Sequence, residues 1–92
     1  FYSRAIANDS GFYLSYLKRA IVLIKLQHFE RALLDLNNAI RKGGSNELIL
    51  YNRGVAYMKT GKWKLARKDL SDALLIKPDL AEAWYNRAYV QK

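Results

Sequence analysis

The stretch YNRGVAY at residues 51–57 recurs as YNRAYVQ at residues 85–91, 34 residues further along the chain. Both copies begin with tyrosine, asparagine and arginine, and a small residue follows. The same shift aligns further pairs along the chain: Ala39 with Ala73, Ala32 with Ala66, Phe29 with Trp63, Leu36 with Leu70, and Tyr16 with Leu50 and Trp84. One constant shift indicates an internal repeat.

Each repeat holds two stretches with apolar residues at helical spacing, which predicts a pair of helices. A short break divides the pair at Gln27 in one repeat and at Thr60-Gly61 in the next. The repeats end at KGGSN and at KPDL, where glycine permits left-handed backbone and Pro78 cannot continue a helix. The predicted boundaries are the end of a preceding repeat at 1–12, full repeats at 13–46 and 47–80, and the first helix of a further repeat at 81–92. This division predicts a segment of a longer protein.

These positions resemble the tetratricopeptide repeat, a family of helical hairpins with the same period. Trp84 matches the large aromatic residue near the start of the first helix, and Tyr57 matches a tyrosine further along it. The other matching positions are the small residues at 20, 54 and 88, then Ala66, Leu70, Ala73 and Pro78 of the second helix, and Ala32, Leu36 and Ala39 one repeat earlier. Departures are Gly44 in place of proline, and arginine in place of an apolar residue at 19, 53 and 87. The resemblance implies an all-α fold, a right-handed α-solenoid of antiparallel helix pairs.

The recurring arginine has an acidic counterpart later in each repeat. Arg53 and Asp69 lie at equal distances from their predicted turn, and Arg19 and Asp35 repeat the arrangement. Residues equidistant from the turn of an antiparallel hairpin lie level with each other, and a half-buried guanidinium needs an anion. We therefore expect one ion pair in each hairpin, with Arg87 finding its acid outside this segment. The alternative is solvated charges whose spacing reflects only the repeat.

No motif for catalysis or metal binding is present in the sequence. The chain has no cysteine, and its one histidine, His28, falls in a predicted turn without a second ligand beside it. No serine lies in a nucleophile motif, and Gly43-Gly44 lacks the lysine and hydroxyl residue of a phosphate loop. We therefore expect a protein that is not an enzyme and has no cofactor and no metal.

The composition bounds the setting of the chain only loosely. Sixteen basic and eight acidic residues give a net charge of +8, which favours acidic partners in general. The longest apolar run, residues 20–24, is far shorter than the roughly 20 residues of a membrane-spanning helix. The lack of cysteine fits an intracellular protein, and we expect a cytoplasmic location without a membrane partner.

The resemblance also indicates a working surface. A solenoid of helix pairs presents the first helix of each repeat on its concave side, where such arrays commonly bind segments of other proteins. A helix wheel of about 100° per residue leaves an apolar face of these helices pointing away from the hairpin. The residues predicted to bind a peptide are Leu17, Ile21, Ile24, Tyr51, Asn52, Val55, Met58, Tyr85, Asn86 and Tyr89. Asn52 and Asn86 match a position at which tetratricopeptide domains often carry an asparagine that hydrogen-bonds ligand backbone.

The expected function is a protein-interaction scaffold that binds an apolar or amphipathic peptide, with flanking acidic residues near the lysines, within a larger intracellular assembly. Alternatively, another part of the same protein fills this groove. The alternative class is nucleic-acid binding, of RNA, through the basic cluster at residues 59–68, although Trp63 aligns with Phe29 and is therefore expected in the hairpin core. A regulatory segment attached to an enzyme elsewhere in the parent chain is a third interpretation.

Individual positions argue against one familiar use of the family. Tetratricopeptide domains that clamp the carboxylate tail of chaperones carry lysine and asparagine on one first helix, asparagine on the next, and lysine and arginine on the third. The corresponding residues here are Leu17 and Ile21, then Asn52, then Glu82 and Asn86. Only Asn52 matches, and Glu82 would repel a carboxylate, so the sequence predicts against binding of a chaperone tail.

Overall fold

The structure of the chain, a computed structural model, describes residues 9–43 and 46–90, with side-chain environments from residue 13 onward. Five helices follow one another in these ranges: α1 (Asp9–Lys25), α2 (Phe29–Arg41), α3 (Glu47–Lys59), α4 (Trp63–Ile76) and α5 (Ala81–Val90). The part of the chain described contains helices and turns but no strand, so the all-α prediction is confirmed. The predictions that concern residues 1–8 and Gly44 lie outside the described residues.

The two breaks predicted inside the repeats are tight turns with equivalent geometry. Gln27 and Gly61 both adopt left-handed backbone, with φ of 65° and 80°. After each turn an amide closes the end of the preceding helix. The His28 amide donates to the Leu23 carbonyl at 2.8 Å, and the Lys62 amide donates to the equivalent carbonyl, that of Tyr57, at 2.9 Å. The chain therefore reverses direction at the same register position in both repeats.

The helices pack as two hairpins joined in series. α1 packs on α2, and α3 packs on α4, while α3 also lies against α2 and α5 against α4. One apolar cluster joins the first hairpin to α3 through Leu17, Leu36 and Ile49, and a second joins α4 to α5 through Leu70 and Ala83. The first helix α3 is thus held between its own hairpin partner and the hairpin before it.

Gly54 lies where α3 and α4 approach closely. A Cβ atom at this position would lie 2.9 Å from Cγ of Leu70, a contact too short for unstrained packing. Leu70 is fully buried, so it has little room to move away. The small-residue face of the first helix is therefore the face packed inside the hairpin, as predicted.

The predicted ion pairs are present in both hairpins. Arg19 binds Asp35 through Nε and Nη2 at 2.8 and 2.7 Å. Arg53 binds Asp69 in the same two-pronged way at 2.6 and 2.9 Å, and its Nη1 also donates to Oδ1 of Asn37 at 2.8 Å. The bonds with Asp69 raise the pKa of Arg53, although burial opposes the shift. Arg53 therefore links α3 to its partner α4 and to the preceding hairpin.

Candidate functional site

An open pocket lies between the end of α3, the turn after it and one face of α5. Its cavity volume is about 460 Å³. The lining residues are Met58, Lys59, Gly61, Trp63, Tyr85, Asn86 and Tyr89. Four of these, Met58, Tyr85, Asn86 and Tyr89, are among the residues predicted to bind a peptide. We refer to this cavity as the α3–α5 pocket.

Aromatic rings form the wall of the α3–α5 pocket. The ring centroids of Trp63 and Tyr89 lie 6.4 Å apart with an angle of 60° between the ring planes, a tilted contact that aromatic pairs favour. Tyr85 is 75% exposed and Tyr89 is also exposed, whereas Met58 is buried. The pocket therefore combines a buried thioether floor with three rings that a ligand can reach, and Lys59 is the cation at its edge.

Trp63 corrects one prediction made from the sequence. Its alignment with Phe29 placed it in the hairpin core, but the side chain is 48% exposed and lines the α3–α5 pocket. Trp63 is the first residue of α4. Because Cα–Cβ bonds tilt toward the N-terminus of a helix, a side chain at the first position extends past the end of its own packed face. The indole consequently contacts α5 rather than the interior of the hairpin.

Tyr51 and Asn86 meet across the neighbouring first helices. Nδ2 of Asn86 donates a hydrogen bond to the Tyr51 hydroxyl at 3.1 Å. The Tyr51 ring is half-buried against the cluster that contains Leu70. Burial, and to a smaller extent the negative charge of Glu82, raises the pKa of Tyr51, while the bond from Asn86 acts in the opposite direction. The negative charge of Glu82 therefore lies near the Tyr51 hydroxyl.

The other residues predicted to bind a peptide have different environments. Leu17 is only 4% exposed and packs in the first apolar cluster. Ile21 and Ile24 are half-buried against that cluster, and Val55 is half-buried on α3. Nδ2 of Asn52 donates to the carbonyl of Leu48, one turn earlier in α3, at 2.8 Å. Ligand contacts at these remaining positions stay predictions.

Two lining residues were missed by the choice of site residues from the sequence, whereas Lys59 was expected among the lysines at the edge of this face. Gly61 and Trp63 lie at or next to the turn between α3 and α4, where a helix wheel assigns no face. The available signal was the repeat itself, because the turn of one hairpin must lie beside the first helix of the next. Adding turn residues to the concave face would have identified both.

The basic cluster at residues 59–68 is largely an exposed, charged face of the chain. Lys62, Lys64 and Arg67 are exposed, and Nζ of Lys68 pairs with Oδ2 of Asp72 at 3.0 Å.

In the part of the chain that is described, no group of three or more histidine, cysteine or acidic side chains could hold a metal ion. Among the same residues no helix combines the length and hydropathy needed to cross a membrane.

Sequence comparison identifies the repeat and several relatives. The model of the family described as "Tetratricopeptide repeat" matches residues 47–80. Human tetratricopeptide repeat protein 6 is 34% identical over 82 residues, which are 89% of this chain and 16% of that protein. Human peptidyl-prolyl cis-trans isomerase FKBP4 is 34% identical over 65 residues, 71% of this chain and 14% of the isomerase. The chain thus spans about a sixth or less of the length of these relatives.

Two solved structures share the fold over most of the chain. The second repeat domain of Spaghetti (RPAP3), bound to the HSP90 peptide SRMEEVD, has a TM-score of 0.82 and 29% identity, and the match covers 87% of this chain and 74% of that chain. The second repeat domain of human RPAP3, in complex with the HSP70 peptide SGPTIEEVD, has a TM-score of 0.83 and 32% identity. The second match covers 99% of this chain and 76% of that chain.

These structures contradict the prediction against binding of a chaperone tail, which was wrong. Both similar domains are bound to chaperone peptides that end in EEVD. The prediction compared five positions with a single arrangement of clamping residues, and the mismatches at the four positions other than Asn52 exclude only that arrangement. Peptide affinity depends on the whole groove and its charge, which a comparison of five positions does not capture.

Proposed function

The chain belongs to the tetratricopeptide repeat family, and we propose that its concave face binds an extended peptide in which an apolar residue lies next to acidic residues. In this proposal the domain is a non-enzymatic interaction scaffold within a larger cytoplasmic assembly. The ligand is of the kind held by the two similar domains, whose peptides both combine glutamates with Val and with Met or Ile. The cytoplasmic part of the proposal is checked by imaging the tagged parent protein.

The α3–α5 pocket is the observation that carries the proposal. Pockets that bind ligands are mostly apolar and aromatic, with a small number of polar groups that fix orientation. Here Trp63, Tyr85 and Tyr89 supply the apolar wall, and Lys59 supplies one cation at the edge. An aliphatic side chain of a peptide would pack on the rings while a neighbouring carboxylate pairs with Nζ of Lys59.

The charges of the groove give the bound peptide a direction. The net charge of +8 attracts an acidic peptide over long range. Within the groove, Glu82 lies close enough to Tyr51 to raise its pKa, so an acidic side chain placed there would be repelled. The glutamates of the ligand are therefore expected on the Lys59 side of the pocket, away from Glu82.

Fluorescence polarisation with labelled SRMEEVD and SGPTIEEVD peptides tests the proposal. Tyr85→Ala should weaken binding by about tenfold, as expected for an aromatic residue at the centre of an interface. Lys59→Gln should weaken it by about two- to fivefold, and Glu82→Gln should strengthen it by a similar factor, because exposed ion pairs contribute up to about 1 kcal/mol. All variants are first checked for native helix content by circular dichroism.

The matched control is Lys64→Gln, which removes the same charge from the exposed face of α4 outside the α3–α5 pocket. Equal losses for Lys59→Gln and Lys64→Gln would mean that net charge alone drives binding. If the Tyr85 variant bound both peptides as tightly as the unmodified chain, the pocket would not be the ligand site. RNA binding that weakens as the salt concentration rises, and that is lost in the Lys62→Glu and Lys64→Glu variants, would favour the nucleic-acid alternative.

A further inference from the structure

The turn between α3 and α4 forms an exposed surface that combines basic and apolar side chains. A hollow of about 450 Å³ lies on this surface and is lined by the consecutive residues 61–65, with the sequence GKWKL. All five residues are exposed, and Trp63 and Leu65 are each nearly half exposed. We call residues 61–65 the basic turn. Because the described lining comes from one stretch of chain, the hollow is an open surface rather than an enclosed ligand site.

The equivalent turn of the first hairpin shows that the turn geometry does not require these residues. Glu30 occupies the position of Lys64 there, in the first turn of α2, where an acidic residue complements the positive end of the helix dipole. Phe29, in the position of Trp63, is half-buried. The first turn of α4 has no acidic residue, so Lys64 adds a positive charge to the positive end of that helix. The basic turn therefore carries charge and exposed aromatic surface that the fold itself does not need.

The charge around the basic turn is strongly positive. Lys59 lies before the turn and Arg67 after it, and both are exposed. No acidic residue occurs in the sequence from 48 to 68, and the next one, Asp69, is buried in its ion pair with Arg53. Charges of one sign raise the local concentration of ligands of the opposite sign. The partner that complements this region is therefore polyanionic.

Two polyanionic partners differ in the apolar contacts that they require. Single-stranded RNA binds by stacking its bases on aromatic rings, but the Trp63 ring packs against Tyr89 and Leu65 has no ring. At the surface of an anionic bilayer, basic side chains meet the phosphates while tryptophan and leucine enter the boundary with the acyl chains. An open surface with exposed apolar side chains among lysines fits the bilayer better than it fits RNA.

We propose that the basic turn binds the surface of bilayers rich in anionic phospholipid. Trp63 and Leu65 enter the boundary with the acyl chains, and Lys62 and Lys64 lie among the headgroups. The shortness of the apolar runs, from which no membrane partner was expected, excludes a spanning helix but not contact with the surface. The proposal does not depend on the peptide function, because Lys64 and Leu65 lie outside the α3–α5 pocket.

Sedimentation with vesicles of equal parts phosphatidylcholine and phosphatidylserine tests the proposal, with pure phosphatidylcholine vesicles as the reference. Lys64→Glu should weaken binding at least about tenfold, because each charge near an anionic surface contributes about fivefold. The same variant should raise the Tm, since it restores the favourable acid found in α2, so the loss would not come from unfolding. Lys77→Glu is the matched control. It makes the same change at the other end of α4, about 20 Å away and beyond a Debye length of about 8 Å, and should weaken binding less than about twofold.

Fluorescence tests whether the apolar side chains enter the bilayer. Trp84→Phe leaves Trp63 as the only tryptophan. Its emission should shift to shorter wavelength with the anionic vesicles and should be quenched by brominated acyl chains. Leu65→Gln should weaken vesicle binding about fivefold, because apolar surface is no longer removed from water. Circular dichroism and binding of the SRMEEVD peptide check that this variant is folded.

The outcomes separate the basic turn from the α3–α5 pocket. Tyr85→Ala, which should lose peptide binding, should bind vesicles as the unmodified chain does. Equal losses for Lys64→Glu and Lys77→Glu, or no quenching by brominated lipid, would overturn the proposal. Quenching of Trp63 by single-stranded RNA without any binding to vesicles would overturn it in favour of nucleic acid.

Discussion

The hairpins α1–α2 and α3–α4 carry the same ion pair in different surroundings. Both aspartates are buried and accept two hydrogen bonds from the arginine. The Arg19 side chain, however, is 65% exposed, whereas that of Arg53 is 22% exposed and also bonds Asn37 of the preceding hairpin. The local sequence sets which residues pair, and the neighbouring hairpin sets how much water reaches the pair.

This difference matters because the contribution of an ion pair depends on burial. An exposed pair contributes about 0–1 kcal/mol, whereas removing one partner of a buried pair leaves an uncompensated charge and costs about 3–5 kcal/mol. The pair in the second hairpin should therefore be the more sensitive of the two. It should also couple the hairpins, since Arg53 contacts both α4 and α2.

The largest effect is expected when the aspartate of the ion pair is removed from each hairpin in turn. Asp69→Ala should lower the free energy of unfolding by about 3 kcal/mol, because the Arg53 charge is left largely enclosed. Asp35→Ala should lower it by about 1 kcal/mol, because water can solvate the exposed Arg19. Urea unfolding followed by circular dichroism measures both values. Equal losses for the two variants would show that the difference in burial has no energetic consequence.

A smaller effect is expected at the small residue of the first helix. Hairpin α1–α2 has Ala20 where hairpin α3–α4 has Gly54. Gly54→Ala gains about 1 kcal/mol of helix propensity, but the new methyl group overlaps Leu70 and overpacking costs about 1–3 kcal/mol. We expect a net loss of about 1 kcal/mol in thermal or urea unfolding. In Gly54→Ala/Leu70→Val the loss should be smaller than the sum of the single losses, and a stabilised single variant would contradict the close approach.

The smallest effect is expected at the turns, where the hairpins differ again. Gln27 has left-handed backbone with φ of 65°, while the equivalent residue of the second hairpin is Gly61. A residue with a Cβ atom pays about 1 kcal/mol in this region, partly offset by the greater freedom of glycine in the unfolded chain. Gln27→Gly should therefore stabilise the chain by about 0.5 kcal/mol. Gly61→Gln, the reciprocal change, should destabilise the chain. A destabilising Gln27→Gly together with a stabilising Gly61→Gln in urea unfolding would refute the explanation.

Interactions inside each hairpin could be predicted from the sequence. The period of 34 residues, the turns at Gln27 and Gly61 and the two arginine–aspartate pairs all follow from helix geometry and from counting residues to a turn. These relations involve residues within one repeat, so each repeat carries the information needed. The family resemblance and the all-α fold rest on the same local regularities.

Exposure and the shape of the site were decided by the tertiary structure. Residues 17, 51 and 85 occupy one position of the repeat, yet Leu17 is 4% exposed, Tyr51 is half-buried and Tyr85 is 75% exposed. Trp63 likewise lines the α3–α5 pocket, although its repeat position suggested the hairpin core. The period specifies which residues face each other inside a hairpin. The helices that surround a residue from other repeats determine whether its side chain is core, pocket wall or open surface.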